Sequence, residues 1–149
     1  MWLKLVALAL TALVLIPGGA HVFELPAKMQ LQREDYFTVQ QIYAGWALFA
    51  VPIIAAIGAN AMLGHRLRHA DRTASRAAWG SAILTVISLI IFFAFVFPAN
   101  RATANWTAMP EDWERLRQHW EYGHLGSAIL VFAALLLTGR ALIGSLPRR

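Results

Sequence analysis

Apolar residues run along this chain in four blocks, at about 3–23, 39–63, 77–97 and 122–143, and the charges collect in the short segments between them. Each block holds ~20 residues, enough for a helix of ~30 Å that crosses the hydrocarbon core of a bilayer. Period-two alternation is absent, and the blocks are far longer than a barrel strand needs. The pattern predicts an all-α fold, a four-transmembrane-helix bundle forming a single membrane domain over residues 1–149. The first block stops near Pro26, with Pro17, Gly18 and Gly19 forming a kink of the kind tolerated inside a bundle. A cleaved leader is the alternative there: Lys4, an apolar stretch over 5–16 and Pro17-Gly18-Gly19-Ala20 precede His21, which cleavage would expose as an N-terminal copper-type ligand.

Composition agrees. The chain is 58% hydrophobic and 14% charged, against roughly 45–50% and 25% for a soluble domain, and its mean hydropathy is +0.53. A soluble enzyme, a disordered tail and a coiled coil are excluded. Without cysteine there is no disulfide, thiolate metal site or redox dithiol. The net charge of +5 does not mark a nucleic-acid partner, because the arginines cluster between apolar spans rather than along a helix with base-stacking aromatics.

Those arginines set direction instead. Lys4, Arg66, Arg68, Arg72, Arg76, Arg140, Arg148 and Arg149 fall on one side with Asp71 as the only acid. Lys28, Arg33, Arg101, Arg115 and Arg117 fall on the other with seven acids: Glu24, Glu34, Asp35, Glu111, Asp112, Glu114 and Glu121. Excess Lys and Arg marks the cytoplasm, so both termini and the 64–76 loop are expected there, in what reads as a bacterial inner membrane. The basic loop is a topology signal that also attracts anionic lipid. The small residues Ala44, Ala47, Ala50, Ala55 and Ala59 of helix two are expected at close helix contacts.

Polar residues gather at the outer end of the spans, where ionisable groups are costly and therefore candidates for function. His21 and Glu24 end helix one, Gln40, Gln41 and Tyr43 open helix two, Asn100 follows helix three, and Glu121 and His124 open helix four. Asn60 and Thr85 are among the few polar residues deeper in the bundle. His21-Val22-Phe23-Glu24 and Glu121-Tyr122-Gly123-His124 each pair a histidine and a glutamate three apart, on one helix face. Glu-x-x-His on antiparallel helices belongs to di-metal bundles, but these also need a carboxylate from each remaining helix, and helices two and three offer only Gln40, Gln41 and Asn100. A single metal held by His21, Glu24 and His124 fits the residue types, and a bis-histidine haem comes after it. The alternative is a set of interfacial hydrogen bonds and ion pairs.

Between helices three and four, Pro110, Glu111 and Asp112 read as a helix start. Trp113, Arg117, Trp120 and His124 then recur on one face. This predicts an extracytoplasmic amphipathic helix lying in the interface or covering the bundle mouth. Asn105-Trp106-Thr107 fits a glycosylation sequon, relevant only in a eukaryote. A faint echo links Gln40-Gln41-Ile42-Tyr43-Ala44-Gly45-Trp46 with Gln118-His119-Trp120-Glu121-Tyr122-Gly123-His124, as if two helical hairpins were related.

Pro98-Ala99-Asn100 closing helix three, followed by Trp120 and His124 four residues apart, resembles the anthrone-oxygenase-like family of small four-helix membrane proteins. The resemblance is strongest from Phe97 to Ala134 and extends over His21 to Trp46. It implies the fold, and an oxidation of anthrone to anthraquinone by dioxygen without a cofactor; most bacterial members have no established activity. Asn100, Trp120 and His124 would be the motif positions. The family's arginine three residues after the histidine is Ser127 here, leaving Arg117 as the candidate substitute. On this reading His124 is the base, with Glu121 or Glu24 orienting it. Asn100 and Arg117 stabilise the enolate, and Trp113 and Trp120 stack on a flat apolar aromatic or quinone-type ligand. The rival from another class is a structural or accessory subunit, in a homo-oligomer or a larger membrane complex.

Overall fold

The computed structural model describes residues 1–144. Arg148 and Arg149, counted above among the cytoplasmic cations, lie outside the described residues, as does the end of the 1–149 domain. In chain order the helices are α1 (Trp2–Lys28), α2 (Arg33–Gln40), α3 (Ala50–Leu67), α4 (Arg72–Ile91), α5 (Phe97–Ala102) and α6 (Trp113–Gly144). Short 3₁₀ turns at Gln41–Tyr43 and Trp46–Phe49 lead into α3, and a π-helical turn at Phe92–Val96 joins α4 to α5. Among the described residues there is no strand. Four stretches are long and apolar enough to cross a membrane: Trp2–Lys28, Trp46–Leu67, Arg72–Ala102 and Trp113–Gly144. The fold is an all-α four-helix bundle in which α1 packs on α3 and α6, and α4 packs on α3 and α6.

Two devices hold the helices together where no hydrophobic drive operates between lipid-immersed surfaces. Small residues bring backbones close: Ala7, Ala59, Ala74, Ala77, Ala78 and Ala141 are buried together, and a Cβ on Gly64 would meet Trp79 Cδ1 at 2.6 Å. Ala44, Ala47 and Ala50, expected at such contacts, are exposed instead. The chain is not helical through Ala44 and Gly45, so those alanines do not continue the buried stripe of α3. Polar side chains supply the second device. Asn60 of α3 donates to Thr11 of α1 at 3.0 Å and accepts from Thr138 of α6 at 2.9 Å, and Thr138 meets Ser81 of α4 at 2.8 Å. Every spanning helix contributes one residue to this buried clasp.

At the end of the bundle opposite the 64–76 loop, all four spans differ from the sequence expectation. α1 does not stop near Pro26 but runs on to Lys28, because a proline so close to the helix end forfeits a single hydrogen bond. The second span does not begin at 39: the chain breaks at Gly45, whose φ of +84° lies in the left-handed region. The third passes through Pro98 to Ala102. The N–H of Phe97, just before the proline that cannot donate, reaches back five residues to Phe92 O, and this wide turn lets the helix continue. The separate amphipathic helix is absent as such, since its residues form the first turns of α6, from Trp113 onward. Leu116, Trp120 and Glu121 are buried, so this segment packs on protein rather than lying in the interface.

Above the bundle, α2 and residues 103–112 close over the mouth. Tyr36, Phe37, Val96, Ala99, Trp106, Leu116 and Trp120 form one buried cluster. Arg33 donates to the carbonyls of Met109 and Pro110, Arg117 to that of Leu31 at 3.0 Å, and Gln41 to that of Trp106 at 2.9 Å.

Candidate functional site

The structure brings His21 and His124 together. Their rings stack with centroids 4.1 Å apart and planes 31° from parallel. Aromatic rings wall the pair: Trp120 stands edge-on to His21 at 4.9 Å and to His124 at 4.3 Å. Tyr43 and Trp46 lie 4.8 and 5.6 Å from His21, and Phe92 is 6.3 Å from His124. His21 is buried, and its Nδ1 has no hydrogen-bond partner. Glu24 Oε2 lies 3.8 Å from it, beyond hydrogen-bond reach.

Next to the histidines lies a buried ion pair that sequence reading missed. Lys28 Nζ sits 2.7 Å from Glu121 Oε1, with the two side chains 4% and 0% exposed. Tyr36 donates its hydroxyl to the same oxygen at 2.9 Å and accepts from Gln40 Nε2 at 2.5 Å. Lys28 also donates to Tyr43 Oη at 3.2 Å and to Gln40 Oε1 at 3.5 Å. Tyr43 in turn donates to the Glu24 carboxylate. Burial first, and then the negative charge and hydrogen bond of Glu121, push the Tyr36 phenol far above its ordinary range. Burial and the hydrogen bond to Glu24 do the same to Tyr43. Both phenols therefore stay protonated and act as donors. The ammonium of Lys28 also lies 4.3 Å from the Trp120 ring centre and 4.6 Å from that of Tyr43, a favourable place for a desolvated cation. Glu121 Oε2 is buried without a partner. The spacing did carry a signal for Lys28: it stands seven residues after His21 and four after Glu24, on the same face, but only if the helix survives Pro26.

The other expected residues have different employment. Asn100 Oδ1 accepts two indole N–H groups, from Trp120 at 2.9 Å and Trp106 at 3.0 Å, so its carbonyl is committed to holding the wall. Arg117 lies over the rings of Trp113 (4.6 Å) and Tyr36 (5.5 Å) and bonds Leu31 O; it clamps the cover rather than facing His124. Trp113 packs on Tyr36 and Phe37, away from the histidines. Glu121 pairs with Lys28 and Tyr36, not with an imidazole. Ser127, where the resemblance would put an arginine, donates to Ser88 O at 3.1 Å across the α4–α6 contact.

The metal and haem readings meet this geometry poorly. Among the described residues no group of three His, Cys, Asp or Glu side chains is placed to hold a metal ion, and the Glu24 carboxylate is occupied by Tyr43. Axial ligation by His21 and His124 requires a porphyrin plane between the imidazoles, and rings stacked at 4.1 Å leave no room for one. What the arrangement offers is acid–base chemistry: two imidazoles in an aromatic cage, a buried cation beside them, and one carboxylate at the edge. No family model, characterised protein or solved structure matches the chain.

Proposed function

We propose that this four-span protein takes a flat, apolar aromatic or quinone-type ligand at the outer end of its bundle and acts on it as an oxygenase-like, cofactor-free base catalyst. One observation carries the reading: the stacked His21–His124 pair, held in a cage of rings with a buried, unpartnered Nδ1 on His21. Buried polar nitrogens are ordinarily satisfied, and one that is not has a job or a missing partner. His124 takes a proton from an activated C–H of the ligand, the positive charge of Lys28 favours the resulting enolate, and the rings of Trp120 and Trp46 flank the imidazole pair. Dioxygen then converts the CH₂ carbon to a carbonyl with release of one water, as the resemblance to the anthrone-oxygenase-like family implies. Asn100 enters as part of the frame of the cage rather than as a stabiliser of the enolate.

The test uses purified protein in lipid nanodiscs with two probes. Quenching of tryptophan fluorescence by 1,4-naphthoquinone reads binding, and absorbance with oxygen uptake reads turnover of anthrone. Wild-type protein is expected to bind saturably, and His124→Gln to lose turnover by roughly a hundredfold or more, the contribution of a placed general base, while keeping its melting temperature. A wild type that binds neither probe sinks the proposal. The accessory-subunit reading draws on Asn100 and Arg117 being spent on internal contacts, and it wins if His124→Gln loses stability and binding in proportion.

A further inference from the structure

A buried base works repeatedly only if its proton reaches water. Most of what surrounds the His21–His124 pair cannot carry one: Trp46, Trp120 and Phe92 present ring carbon. The charged and titratable groups nearby are Glu24 and Lys28 from α1, Tyr43 from the turn before α3, and Glu121 from α6. Lys28 and Glu121 are sealed and tied to each other. Glu24 is different. Its side chain is 37% exposed, and its Oε2 lies 3.8 Å from the buried, unpartnered Nδ1 of His21. A small rotation of the side chain closes that gap to hydrogen-bond distance. The carboxylate does not swing freely, because Tyr43 donates to it and Lys28 in turn holds Tyr43.

The geometry points to Glu24 as the proton port of the outer site, the carboxylate through which the His21–His124 pair exchanges protons with water. The assignment rests on reading that pair as an acid–base centre. The step balances without electrons: an imidazolium N–H gives its proton to the Glu24 carboxylate and becomes neutral imidazole, and the carboxylic acid then releases the proton to water. α1 places the port one helical turn from His21, and Tyr43, itself held by Lys28, fixes the orientation of its carboxylate.

The test needs no ligand. Histidine-¹⁵N-labelled protein in nanodiscs reports, by NMR, the rate at which the His21 imidazole proton exchanges with water. Glu24→Gln keeps the size of the side chain and an acceptor for Tyr43 but cannot relay a proton. Exchange is expected to slow by roughly tenfold or more, and to recover in Glu24→Asp or on adding acetate. A wild-type rate in Glu24→Gln overturns the port. So does a slowing that neither aspartate nor acetate reverses, which would mark a changed structure. Should Glu24→Gln fail to fold by circular dichroism, Tyr43→Phe keeps the ring and unclamps the carboxylate. It is then expected to slow exchange, and an unchanged rate counts against the port. Loss of naphthoquinone binding alongside an intact port defeats the oxygenase-like reading alone, and the converse defeats the port alone.

Discussion

At the residue scale, the informative side chain is Lys28. A cation beside a span boundary ordinarily belongs to the headgroup region, and Pro26 reads as the end of the helix that would otherwise carry it inward. Once α1 persists for two residues past that proline, Lys28 falls on the face of His21 and Glu24 and has to be neutralised, which Glu121 does at 2.7 Å. The same logic explains why Asn100 was legible as an important position but not in its role. Its place after Pro98 flagged it, whereas the two indoles that share its carbonyl come from residues 6 and 20 positions away, a convergence no local pattern contains. The buried pair makes a sharp prediction. Removing one partner, as in Lys28→Met or Glu121→Gln, leaves its counterpart unbalanced in a dry place and is expected to cost about 3–5 kcal/mol. The double variant Lys28→Met with Glu121→Gln removes both charges and is expected to recover most of that loss. Thermal or denaturant unfolding in mixed micelles, run as a double-mutant cycle, gives the coupling. Additive losses would show that the pair contributes nothing as a pair.

At the element scale, apolar block length made the four spans and their interiors readable, because the bilayer imposes a length on each. Their ends beside α2 and the 103–112 cover were not readable, because there the chain leaves the regime that length controls. α6 begins at Trp113 rather than at its apolar block because the amphipathic turns before Tyr122 find protein to pack on, namely Tyr36, Phe37 and Trp106. The third span, Arg72–Ala102, survives Pro98 because the π turn between α4 and α5 absorbs the missing donor. Deeper in the bundle, the clasp of Thr11, Asn60, Ser81 and Thr138 fixes the relative heights of the helices, and only Asn60 stood out in sequence. Asn60→Leu is expected to destabilise by about 1–2 kcal/mol, since Thr11 and Thr138 can fall back on the carbonyls of Ala7 and Ala134 that they already reach. Unfolding of this variant in micelles checks it. A loss far above that range would mean that the clasp, rather than the small-residue contacts, dominates the packing.

At the scale of the whole molecule, the bundle is chemically one-sided: its ionisable and aromatic cluster lies at the end that carries α2 and the 103–112 cover, and the opposite end carries Arg66, Arg68, Arg72, Arg76 and Arg140, all exposed. We propose an orientation for that axis from the charge asymmetry, since cationic loops are ordinarily retained in the cytoplasm. The candidate site would then open toward the outer leaflet, and Glu24 would exchange protons with the outer water. Absence of cysteine makes this directly measurable. Ala108→Cys and Arg68→Cys each introduce a single thiol at an exposed position, one beside the cover and one in the basic loop. In intact cells a membrane-impermeant maleimide is expected to label Ala108→Cys at once and Arg68→Cys only after permeabilisation. The reverse pattern would place the arginines outside and the histidine pair at the cytoplasmic face. An apolar ligand would then be drawn from the inner leaflet, and the port would answer to cytoplasmic pH.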